Sequence, residues 1–167
     1  ITGGEYHTPT LVARSPDQSI PAVRVIKPKT SAQIRQLMRM VVTEGTGKKA
    51  DVPGYEVGGK TGTAEKAGHG GYRKKAVLSS FVAAFPMDEP RYAVLVMVDE
   101  PQGTRETYGF ITAGWTAAPA AGRVIAQVAP LLGLMPKAPP PQPTGPAAAG
   151  RAPAANNRGG ADVAAVD

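Results

Sequence analysis

A chain of 167 residues with 42% hydrophobic content is long enough for one core, and it contains no cysteine, which removes disulfides, thiol nucleophiles and cysteine-ligated metals. The net charge of +6 is carried by the residues up to Lys137, since Arg151 and Arg158 beyond it are cancelled by Asp162 and Asp167. Basic residues are scattered apart from Arg73-Lys74-Lys75 and have no aromatic interleaving, so nucleic acid is not an expected partner.

Pro9 to Ala13 and Ala22 to Ile26 are β-branched or apolar pieces on either side of a Ser15-Pro16-Asp17 turn, and read as short strands or extended loops. Thr30, with Gln33 three positions later, predicts a helix start by reciprocal capping. Ile34, Leu37, Met38, Val41 and Val42 recur at helical spacing as a core face, and Gly45 and Gly47 end the helix. Gly54, Gly58 and Gly59 then lead into a strand over Lys60 to Lys66. Arg73, Lys74 and Lys75 are placed in the loop that follows, either as a solvated basic loop or as an attractor of anionic substrate.

Two further apolar runs, Val77 to Phe85 and Tyr92 to Val98, are joined by Pro86-Met87-Asp88-Glu89-Pro90 and predict an antiparallel hairpin. Because Ala93 to Val98 does not alternate, both faces of that strand are expected to be buried, with helices on each side of the sheet. A last helix, with Thr116 as its cap, runs through Ala117, Pro119, Val124, Ile125, Val128 and Leu131 to Leu132, and Pro130 is expected to kink or shorten it. Residues 138–167, rich in proline, alanine and glycine, are expected to be a disordered tail after an ordered part spanning 1–137. His7 and His69 lack metal-ligand spacing, and no metal or cofactor is expected. No membrane span or secretion signal is expected within these residues. Ile1, where an initiator methionine would stand, suggests a piece of a longer chain.

The most informative stretch is Lys60-Thr61-Gly62-Thr63-Ala64. Lys-Thr-Gly accompanies Ser-x-x-Lys and a Ser-Asp-Asn element in serine acyl-transfer enzymes that react with penicillin. None of Ser15, Ser19, Ser31, Ser79 or Ser80 is followed by lysine three residues later, and there is no Ser-x-Asn, so the nucleophile is expected upstream of Ile1. Taken alone, Lys60 reads as an exposed strand lysine guarding a sheet edge; the surrounding pattern gives it the catalytic reading. Period-two geometry puts Lys60, Gly62 and Ala64 on one face and Thr61 and Thr63 on the other.

Gly58 to Ala64, then strand, turn, strand, Asp99-Glu100-Pro101, Tyr108-Gly109 and Ala118-Pro119, in that order, resemble the end of a class B penicillin-binding protein of the division-specific transpeptidase kind. The resemblance covers approximately Gly3 to Pro136. It implies an α+β fold with a largely antiparallel sheet covered by helices, part of the penicillin-binding transpeptidase and serine β-lactamase-like architecture. It further implies Lys60 and Thr63 as catalytic residues and Lys60, Thr61, Gly62, Thr63 and Ala64 as substrate-binding. Lys60 would direct positive potential at the substrate carboxylate and a relay serine. Thr63 would bond the D-alanine or penicillin carboxylate, its N–H serving as an oxyanion donor. Gly62 would leave room for the acyl group, and Thr61 would support either a neighbouring strand or the cleft. The implied substrates and ligands are peptidoglycan stem peptides ending in D-Ala-D-Ala and β-lactams. The implied partners are division-machinery membrane proteins, a glycosyltransferase among them, at the periplasmic face of the inner membrane. A penicillin-sensing receptor domain and a serine β-lactamase are the alternative readings. Ile1-Thr2-Gly3-Gly4 departs from the resemblance by lacking an asparagine before its paired glycines, and Pro130 by interrupting a continuous helix.

Overall fold

The computed structural model describes residues 1–18, 20–68 and 70–138, so His69 and the tail from 139 onward lie outside the described residues. In chain order the elements are β1 (Glu5–Tyr6), β2 (Val23–Arg24), α1 (Pro28–Thr43), β3 (Gly58–Gly68), β4 (Gly71–Phe85), β5 (Tyr92–Asp99) and α2 (Ala117–Leu131). β1 and β2 form a small antiparallel ribbon, and β3, β4 and β5 form an antiparallel sheet in that spatial order. The α+β class expected from the sequence is the one observed.

The core lies on one face of the three-stranded sheet. Thr61, Phe81 and Val96 are register partners, as are Gly59, Ala83 and Val94. Paired side chains share a face, and this one packs against α2 through Ala117, Ala118, Ala121, Ile125 and Ala129. Phe81 and Phe85 are fully buried there, each stabilising the fold by about 1.5–3 kcal/mol. The small residues of α2 allow the helix backbone close to the strands, and Gly122 lies against the backbone of Ala50. Gly58 plays the same part for α1: a Cβ there would overlap Met87 Cε and come within 3.1 Å of the Arg39 amide. Arg39 then ties α1 to the approach to β3, donating 2.7 Å bonds to Asp51 Oδ1 and the Val57 carbonyl.

Several sequence expectations are corrected. α1 opens at Pro28 with Lys27 at the cap position, two residues before Thr30, because proline's fixed φ and missing N–H suit the first turn. The first strand is Glu5–Tyr6, which the sequence reading did not pick out, while 9–13, read as a short strand or extended loop, is the loop. Of the expected core face of α1, Val42 is buried while Ile34 and Leu37 are exposed. β5 alternates: Tyr92, Val94, Val96 and Val98 pack on the core, whereas Leu95 and Met97 are exposed. Burial of both faces is therefore not found. β4 begins at Gly71, so 73–75 belong to a strand and not to a loop. Thr116 stands at the cap of α2, but its hydroxyl turns back to donate to the Thr112 carbonyl. Within α2, Ile125 is buried while Val124 and Leu131 are exposed, and the helix ends one residue after Pro130.

Candidate active-site wall

β3 is an outer strand of its sheet, with β4 as its neighbour. Its two faces carry different chemistry. Lys60 pairs with Val82 and Gly62 with Ser80, on the face away from the buried core. The Lys60 ammonium folds onto the Thr61 carbonyl at 2.7 Å. A Cβ at Gly62 would lie 2.7 Å from Ser80 Oγ, which itself donates to the Gly62 carbonyl at 3.4 Å. Ala64 follows on the same face opposite Leu78 and is exposed.

Thr61 and Thr63 point to the other face and line a cavity of about 500 Å³ together with Thr46, Lys48, Lys49 and the 112–115 segment. Thr61 Oγ1 is 2.9 Å from Thr46 Oγ1, linking the strand to the loop after α1. Thr63 Oγ1 accepts the Ala113 N–H at 3.1 Å and keeps its own proton to donate. Beside it, buried Ser79 donates to the Ile111 carbonyl at 2.7 Å. These two bonds hold the 100–116 segment against the sheet and fix one wall of the cavity.

That wall is aromatic. Phe110 stacks on Trp115 with centroids 5.2 Å apart, Tyr108 meets the same indole edge-on at 5.7 Å, and Lys49 Nζ lies 4.3 Å from the ring centroid. Sequence reasoning passed over Trp115, Thr46, Lys48 and Lys49. Two signals were available: Trp115 is the one tryptophan of the chain, and Gly45-Thr46-Gly47-Lys48-Lys49 combines glycine, hydroxyl and ammonium groups where only a helix terminator was read.

At the far end of β3, Lys66 donates to Asp99 at 2.9 Å and to Glu100 at 2.9 Å, and Arg73 reaches Glu100 at 2.8 Å. The hydrogen bonds that Lys66 donates to Asp99 and Glu100 raise its pKa, and the bond accepted from Lys66, with the Arg73 charge, lowers that of Glu100. Arg73 thus forms an exposed ion pair with Glu100. Glu100, which takes part in both ion pairs, has a positive φ of 47°. None of the described serines reproduces a nucleophile beside a lysine three residues on: Ser31 and Ser79 are buried, and Ser80 bonds β3. Ser19 lies outside the described residues. His7 lies near Glu5, and the described residues hold no cluster of metal-ligating side chains.

Residues 1–121 match the family profile described as "Penicillin binding protein transpeptidase domain". The chain is 46% identical over 143 residues to the "Probable peptidoglycan D,D-transpeptidase FtsI" of Caulobacter vibrioides, covering 80% of this chain and 24% of that protein. It is 38% identical over 150 residues to "Stage V sporulation protein D" of Bacillus subtilis, covering 82% and 22%. Among solved structures, the transpeptidase domain of Burkholderia pseudomallei penicillin-binding protein 3 is similar with a TM-score of 0.71 and 36% identity, over 82% of this chain and 40% of that one. The chain therefore spans about a quarter of the length of these curated relatives.

Proposed function

We propose, because this chain belongs to the penicillin-binding protein transpeptidase domain family, that it supplies one wall of the active site of a serine D,D-transpeptidase that cross-links peptidoglycan. The observation that carries this reading is the division of labour on β3. An outer strand presents Lys60 and Gly62 on one face, and two threonine hydroxyls on the other that open into a cavity. Unpaired backbone groups on an outer strand accept an extended peptide as an added strand, which sets the register of a stem peptide ending in D-Ala-D-Ala.

In the proposed reaction a serine Oγ, supplied by a part of the longer protein outside this chain, loses its proton to a nearby base. It then attacks the penultimate D-alanine carbonyl. The tetrahedral intermediate collapses with cleavage of the C–N bond, terminal D-alanine leaves with a proton, and an amine of a neighbouring stem peptide displaces the serine to form the cross-link. Lys60 provides positive potential, Thr63 a carboxylate donor through its hydroxyl and an oxyanion donor through its N–H, and Gly62 the space beside the acyl group. An aimed donor of this kind lowers such barriers by roughly 2.7–4 kcal/mol. β-Lactams acylate the same serine.

The FtsI name of the Caulobacter relative supports a division role. The setting proposed with it is the periplasmic face of the inner membrane, with a membrane anchor outside this chain and division-machinery membrane proteins, including a glycosyltransferase, as partners. No described helix is long and apolar enough to cross a membrane. The decisive experiment is labelling with a fluorescent penicillin. The full-length protein is expected to label covalently, and the 167-residue chain alone is not; labelling of the isolated chain would overturn the assignment of the nucleophile to another part of the protein.

A further inference from the structure

The threonine hydroxyls that are proposed to meet the substrate carboxylate open into a cavity whose positive charge does not come from Lys60. Lys60 projects from the opposite face and is bonded to the Thr61 carbonyl. The cations lining the cavity are Lys48 and Lys49, and its described lining residues include no carboxylate. Lys49 is held by its position over the Trp115 ring, and Trp115 itself stacks on Phe110 and meets Tyr108 edge-on. Indole binding of this kind orients an ammonium without neutralising it. The Thr46–Thr61 hydroxyl pair fixes the loop that bears both lysines relative to β3.

We propose that Lys49, assisted by Lys48, is the counter-charge of the carboxylate subsite: it binds the C-terminal carboxylate of the D-alanyl substrate, or that of a β-lactam, from the threonine face of β3. This rests on the transpeptidase reading and adds a specificity-determining residue to it. The cavity then recognises its ligand by two features together, an anion for Lys49 and the Thr61 and Thr63 hydroxyls, and a small apolar group for the Trp115 wall. An ammonium that meets a carboxylate in a partly enclosed site discriminates strongly against a neutral isostere, since charge-assisted bonds are about twice as strong as neutral ones.

The test uses the full-length protein, with benzylpenicillin and its methyl ester as the probe pair. Each is scored by the rate at which it blocks later labelling with a fluorescent penicillin. The free acid is expected to react faster than the ester with the unsubstituted protein. In Lys49→Gln the acid-to-ester rate ratio is expected to fall about tenfold, while Lys49→Arg, which keeps the charge, retains most of the ratio. An unchanged ratio in Lys49→Gln overturns the proposal, and so does an equal fall in both rates, which would make Lys49 a support for the loop. If the unsubstituted full-length protein reacts with neither probe, it is the transpeptidase reading itself that fails.

Discussion

Gly62 has two possible reasons for lacking a side chain, and Gly62→Ala separates them. The new methyl group would stand 2.7 Å from Ser80 Oγ, and the next atom, the Ser80 carbonyl oxygen, is 3.9 Å away. The steric cost therefore depends on a single hydroxyl. Relieving it by rotating Ser80 off its preferred arrangement, and giving up its 3.4 Å bond to the Gly62 carbonyl, costs about 1–2 kcal/mol. Against this, alanine in a strand is favoured over glycine by roughly 0.5–1 kcal/mol. Gly62→Ala alone should destabilise by about 0.5–1 kcal/mol in denaturant unfolding of the full-length protein. In a Ser80→Ala background the clash is gone and the same substitution should become stabilising by about 0.5 kcal/mol, a reversal of sign that reports direct coupling between neighbours. The methyl group nevertheless remains on the Lys60 face in both backgrounds, so acylation by a fluorescent penicillin should stay slow in the double variant. If Gly62→Ala destabilises the Ser80→Ala protein as much as it does the unsubstituted one, the packing argument is wrong; if the double variant acylates at the unsubstituted rate, Gly62 serves packing alone.

Lys60→Ala should slow acylation of the full-length protein by about 10²-fold or more, with little change in unfolding midpoint because the side chain is exposed; rapid-quench acylation kinetics check this. Phe81→Ala, at a fully buried site, should cost about 3–5 kcal/mol, measured by denaturant unfolding. Thr63→Val leaves the Ala113 N–H without its 3.1 Å acceptor and should destabilise by about 1–3 kcal/mol, whereas Thr63→Ser should restore both stability and acylation. For pH, Glu100 titrates below its ordinary 4.5 because Lys66 and Arg73 stabilise its anion, so its contribution is present above 4.5 and is lost as pH falls through the lowered folded value. Lys66 titrates above its ordinary 10.5, so its contribution is present below 10.5 and is lost as pH rises through the raised folded value. Glu100→Gln should accordingly flatten the acid limb of a stability–pH profile and lessen the alkaline one.

The sheet was legible because β3, β4 and β5 are consecutive in sequence and need only short reversals, so apolar runs and turn residues sufficed to find them. The alternation of Lys60 and Gly62 against Thr61 and Thr63 followed from strand geometry alone. The helix starts were less legible. Thr30 and Gln33 offered a capping pattern, but Pro28 set the start earlier, and Thr116 bonded back to Thr112 where a cap was expected. What stayed hidden was tertiary. Nothing local in the sequence announces that the loop after α1 reaches under β3 to bring Thr46 to Thr61, or that Lys49 meets Trp115. Thr46 meets Thr61 as α1 packs on β3 at Gly58, and Trp115 reaches Lys49 on the 100–116 segment that the Thr63 and Ser79 bonds hold against the sheet.

The misread burial of β5 bears on the direction of catalysis. Its run Ala93 to Val98 is apolar at every position, as a strand covered on both sides would be, yet Leu95 is 60% exposed and Met97 54%. Val82 is 40% exposed beside them. By register, Leu95 pairs with Val82 and thus with Lys60, and Met97 pairs with Ser80 and thus with Gly62. The uncovered apolar surface is therefore the Lys60 face, while the opposite face packs on α2 and, at Thr61 and Thr63, opens into the cavity. A contiguous apolar patch of this kind calls for a covering partner. Under the proposed function, the part of the protein that covers Leu95, Met97 and Val82 would bring its serine up to Lys60, as the acyl-transfer geometry requires. The carboxylate would meanwhile be held from the opposite face by Thr61, Thr63 and Lys49. The scissile carbonyl would then lie across the open edge of β3, between a cation that serves the nucleophile and a separate cation that anchors the substrate. Exchanging Lys60 and Lys49 for glutamine one at a time should divide these roles, the first acting on the maximal acylation rate and the second on the concentration of β-lactam needed to reach half of it. If both substitutions changed the same parameter to the same extent, the two-faced arrangement would be wrong.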